Sequence, residues 1–128
     1  MLLLAMLLLL PPGPHNLVVV VNPANPMKAL SVEQAAQYFL GRATDLTPFD
    51  QGERSPLRLK FYDTVAGKDN EQVKAIWSTI VFTGRGFPPR QYGSASDVKH
   101  AVAANQRAIA YLDQADVDET VKVVLSLP

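Results

Sequence analysis

Cysteine is absent from the 128 residues, which excludes disulfides, thiolate metal sites and cysteine nucleophiles together. Histidine occurs only as His15, in a Pro-rich stretch, and His100, on the polar face of a predicted helix. No Ser-His-Asp set and no nucleophile elbow can be assembled from them, so neither an enzyme nor a metal site is expected. Asp116, Asp118 and Glu119 lack the glycine and the spaced ligands of a calcium loop, and read as a solvated turn. There is no excess of either charge sign: twelve Lys/Arg balance twelve Asp/Glu. The charge balance therefore gives no reason to expect a nucleic-acid partner. Long apolar runs are also missing, because "MLLLAMLLLL" stops after ten residues, too short to span a bilayer.

That run suits the apolar region of a secretory signal and is followed by "PPGPHN". Residues 1–15 are therefore read as a leader and export as the expected destination, although a basic start and a clean small-x-small cleavage site are lacking. Residues 16–128 are read as one domain. With 48% apolar and 19% charged residues, this is globular composition. The basic residues concentrate between positions 42 and 107. After Ala108, Asp113, Asp116, Asp118 and Glu119 face only Lys122, so an anion site belongs in the middle segment.

"NLVVVVN" at 16–22 is a β-branched run closed by "NPANP", the pattern of a buried strand. "LSVEQAAQYFLG" at 30–41 has full helix punctuation, with Ser31 and Gln34 as a capping box and Gly41 as terminator. A short strand is expected around 47–49. A second helix runs from Pro56 to about Ala66, with Leu57, Phe61 and Val65 inward and Gly67 closing it. Asp69 and Gln72 box a third helix whose stripe is Val73, Ile76, Trp77, Ile80 and Val81. "TGRGFPPRQYG" at 83–93 reads as loop, and Ser94 starts a fourth helix. Strands at 108–113 and 121–127 complete an α/β pattern: a small sheet flanked by about four helices.

The chemistry concentrates in "FDQGERSPLRLKFY" at 49–62. Ser55 before Pro56 caps the second helix, and a capped N-terminus also presents N–H groups and a positive dipole end to an oxyanion. Arg54, Arg58 and Lys60 flank this helix and are read as a solvated face. Arg85, between two glycines of "TGRG", carries a guanidinium able to meet an oxyanion in a bidentate way. Trp77 is read as core.

Five landmarks, in order, resemble the phosphate-type substrate-binding proteins of ABC transporters, in particular short PstS-like members. They are "VVVVNPANP", "YFLGR", the Ser-led "SPLRLKFY" helix, the Trp-containing helix with "FTGRG", and "AIAYLD". The resemblance implies one lobe of a type 2 periplasmic-binding-protein fold, without cofactor. It implies a non-enzymatic, exported binding module for phosphate or a related oxyanion, linked to transport or sensing. Ser55 matches the first Ser of the family's anion loop and Glu53 its acidic place, with Gln51, Arg54, Arg58 and Arg85 as the other site residues. Gln51 stands where the family has Arg, and Pro56 and Leu57 replace Gly and Thr, so a hydroxyl and a backbone donor are lost. The alternative reading is a ligand-free interaction domain with an envelope partner or a second copy of itself. The first reading expects the start of the second helix to lie near Arg85.

Overall fold

The computed structural model describes residues 17–128; the expected leader, with His15, and Asn16 lie outside the described residues. Strand β1 (Leu17–Val21) is followed by helix α1 (Val32–Phe39), β2 (Thr47–Gln51), α2 (Pro56–Ala66) and α3 (Asn70–Phe82). Then come β3 (Arg90–Tyr92), α4 (Ala95–Ala103), β4 (Ala108–Asp113), a short 3-10 turn (Gln114–Asp116) and β5 (Lys122–Leu127).

The strands form one mixed sheet in the order β3-β2-β4-β1-β5. β1 pairs antiparallel with both β4 and β5, with a register shift between Val19 and Val20 on the β5 side. β2 runs parallel to β3 and to β4. Every residue of β1 is buried, because the sheet is covered on both faces. Leu17, Val19, Val21, Ile109 and Tyr111 point into a core shared with α1, α2 and α3. Val18, Val20, Ala108, Ala110 and Leu112 point the other way, against Val98 and Val102 of α4. This alternation is the period-2 geometry of a strand.

The helix punctuation is as the sequence implies. Both capping boxes form, Ser31 with Gln34 and Asp69 with Gln72. Ser94 and Ser55 cap α4 and α2. Gly41 and Gly67 take φ of +77° and +63° at the ends of α1 and α2. Trp77 is buried as expected, with its indole N–H donating to the Phe39 carbonyl at 3.0 Å.

Three expectations are corrected. Residues 90–92 within the Gly/Pro-rich loop form β3, because the parallel partner β2 supplies hydrogen bonds that local sequence does not reveal. Val81 is exposed instead of lying on the α3 core stripe, since the seam follows Val73, Trp77 and Ile80. Arg58 does not belong to a solvated face: it is buried with Tyr62 on the inner side of α2.

Candidate functional site

The parallel strands β2, β3 and β4 end on one edge of the sheet. From β2 the chain turns to α2 on one face, and from β3 to α4 on the other. This divergence is the topological switch at which open α/β sheets take ligands. A cleft of roughly 480 Å³ lies there. Gln51 at the end of β2 and Ser55 beyond it line the cleft, with Ala95 at the start of α4, and Asp113 and Asp116 at and beyond the end of β4. Pro56, Leu57 and Lys60 add the first turns of α2.

Ser55 is held in its capping role. Its hydroxyl accepts the Arg58 backbone N–H at 3.2 Å and donates to Gln51 Oε1 at 2.9 Å. The Gln51 amide in turn donates to the Tyr111 carbonyl at 3.2 Å. The cap of α2 is thereby tied across β2 to the central strand β4.

Behind the cap sits a buried polar cluster. The Asp50 carboxylate receives the Tyr62 hydroxyl at 2.6 Å, the Tyr111 hydroxyl, and the Gln51 backbone N–H at 2.8 Å. Arg58 Nε lies 3.3 Å from Asp50 Oδ1, an ion pair not aligned as a hydrogen bond. The Arg58 guanidinium also donates to Asn70 and stands 4.9 Å over the Tyr62 ring. Burial, then the charge of Asp50 and its hydrogen bonds, hold both phenols well above their ordinary range.

The six residues expected at an anion site are not gathered in one place. Ser55 and Gln51 meet at the switch-point cleft. Glu53 and Arg58 line a different cleft, between α3 and β3. Arg54 is exposed in the turn before α2 and lines neither. Arg85 donates from Nε to Thr83 Oγ1 at 2.9 Å and lines other clefts, beside Gly41 and Ile80. Arg85 therefore lines no cleft in common with the start of α2.

No protein-family model matches the chain, and no curated protein sequence is similar to it. Solved structures are. A candidate phosphate ABC transporter substrate-binding protein with bound phosphate, from Clostridium perfringens, aligns with a TM-score of 0.71 at 19% identity. The alignment covers 86% of this chain and 44% of that one. The fold is that of one lobe of a phosphate-type substrate-binding protein. An ABC-type phosphate transport receptor from Vibrio cholerae aligns at TM-score 0.62 and 21% identity, over 86% of this chain and 45% of that one. PstS from Borrelia burgdorferi aligns at 0.65 and 11%, over 86% and 47%. The chain therefore spans less than half the length of these structures. Among the described residues, no helix is long and apolar enough to cross a membrane.

Sequence reasoning missed Asp50, Tyr62, Tyr111 and Asn70. One signal was available. A Tyr inside a run as apolar as "AIAYLD" must bring an acceptor for its hydroxyl into the core, and Asp50 closes the parallel neighbour β2.

Proposed function

We propose that the chain is a non-enzymatic oxyanion-binding lobe, exported and serving a transport or sensing system, with its ligand in the switch-point cleft. The observation that carries this reading is the position of that cleft, at the carboxyl ends of β2 and β4 and between the starts of α2 and α4. Two helix N-termini then direct partial positive charge to one place. Asp116 repels a fully ionised anion but accepts a hydrogen bond from one that retains a proton. Phosphate is therefore favoured over sulfate at neutral pH. With the Ser55 hydroxyl engaged by Gln51 and no N–H on Pro56, binding is weak, in the range of millimolar dissociation constants.

Calorimetric titration tests the proposal. Phosphate is expected to give heat and a thermal shift that sulfate does not, weakened by Ser55→Ala and unchanged by Arg85→Ala. Absence of both heat and shift with millimolar phosphate would overturn it; the shift follows from mass-action stabilisation of the folded state.

A second reading, a ligand-free interaction domain, is favoured by Phe82 and Phe87, which are 94% and 84% exposed. It predicts self-association or a co-purifying envelope partner, and loss of either in a Phe82→Ser/Phe87→Ser variant. A strictly monomeric protein without a partner would argue against it.

A further inference from the structure

The cleft between α3 and β3, roughly 360 Å³, stands apart from the switch-point cleft and shares no lining residue with it. One wall is apolar: Val73, Trp77, Val81 and Phe82 of α3, with Pro88 from the loop before β3. Trp77 is fixed in orientation by its bond to the Phe39 carbonyl, so it presents only ring carbon to the cleft. Phe82 and Val81, by contrast, are left in water at the rim.

The polar lining is of both signs. Arg58 is neutralised by Asp50 and steadied by Asn70, so it offers N–H donors without a net charge. Lys74 and Glu53 are different: both line the cleft, yet they are not paired with each other or with any other charged group among the described residues. Ser78 and Gln91 add side-chain hydroxyl and amide groups that have no hydrogen-bond partner among the described residues. A cleft with one unpaired cation, one unpaired anion and an aromatic-aliphatic wall is complementary to a small zwitterion with an apolar body.

From this complementarity we propose that the cleft binds a neutral α-amino acid with an apolar side chain, or a zwitterion of the same build. The ligand carboxylate meets Lys74 and Arg58, its ammonium meets Glu53, and its side chain covers Trp77 and Phe82. This assigns Glu53 and Arg58 to a ligand other than the oxyanion and stands independently of the oxyanion proposal.

The only tryptophan of the chain lines the cleft, so its emission reports occupancy. L-leucine and L-phenylalanine are titrated beside 4-methylpentanoate and 3-methylbutylamine, each of which lacks one charge of leucine. A saturable change in Trp77 emission is expected with the two amino acids. Each single-charge analogue should bind roughly ten-fold more weakly or worse, the cost of one charge-assisted hydrogen bond. Lys74→Ala and Glu53→Gln, both at exposed positions, should each weaken leucine binding to a similar degree. Arg85→Ala, outside this cleft, should leave it unchanged. No saturable response at millimolar amino acid would overturn the proposal. So would 4-methylpentanoate binding as well as leucine, or leucine binding unaltered in both variants. Inorganic phosphate, titrated in parallel, reads the other cleft alone.

Discussion

Asp50 shows how much one side chain organises here. Its carboxylate is the shared acceptor for Tyr62 and Tyr111 and the counter-charge of the buried Arg58. Asp50→Ala leaves two phenols and a guanidinium without it, so a loss of about 3–5 kcal/mol is expected in urea unfolding. Lys74→Ala, on an exposed position, should stay within about 0.5 kcal/mol. The same cluster sets an alkaline limit. Both phenols have folded pKa values raised above the ordinary 10.0, so the folded state keeps protons that the unfolded chain releases. Their stabilising contribution is complete below pH 10 and is lost as the pH rises beyond it. Unfolding free energy should therefore fall as the pH rises above 10, with Tyr38, also raised by burial and by Asp45, adding to the same trend. Tyr111→Phe should make that fall shallower, which urea midpoints measured between pH 8 and pH 11 would reveal.

At the level of elements, the helix ends are where local sequence and tertiary packing separate. Gly41 and Gly67 both end helices at positive φ, and sequence reading treats them alike. A Cβ on Gly67 meets nothing within 4 Å, so Gly67→Ala carries only the left-handed penalty of about 1 kcal/mol. A Cβ on Gly41 comes within 2.7 Å of Ile80 Cδ1 and 2.9 Å of Trp77 Cη2. Trp77 cannot retreat without breaking its bond to the Phe39 carbonyl. Gly41→Ala should therefore cost about 2–4 kcal/mol, the penalty plus overpacking, with a red shift of Trp77 emission in the folded variant. Ser55→Ala should cost about 1 kcal/mol, the worth of an N-cap, whether or not an anion binds.

On the scale of the whole molecule, the sheet joins two cores through the same two strands. Val19 and Tyr111 report on one core, Val18 and Leu112 on the other, and each pair lies on β1 and β4. Neither face can open without exposing the strand backbone the other needs, so the lobe should unfold as one unit. Near-UV and far-UV circular dichroism should give coincident transitions. Truncation after Thr120 removes β5, the antiparallel partner along the whole of β1, together with Val124 and Leu127 of the core. The truncated chain should lose cooperative unfolding altogether.

Much of the architecture is local and was therefore legible. Caps, terminators and apolar spacing act within four residues, so "SVEQ", "DNEQ" and "SPLR" specify their helices without reference to the rest of the chain. The β-branched run of β1 and the apolar run of β4 likewise imply strands buried on both faces. β3 was not legible, because three residues with no apolar alternation become a strand only beside β2. Arg58 was misread for a related reason: an arginine is buried only where a carboxylate waits, and Asp50 is brought there by the β2–β4 pairing. The residues expected to hold an oxyanion came from one stretch plus Arg85, yet folding places Gln51 and Ser55 in one cleft, Glu53 and Arg58 in a second and Arg85 in others. The sequence by itself determined the helices, the two central strands and the resemblance to a substrate-binding lobe, since these depend on short-range periodicity. Which side chains share a cleft, and which charges remain unpaired there, was decided only by tertiary structure. Those relations join residues as far apart in sequence as Gln51 and Asp116, at distances that only the packed sheet sets.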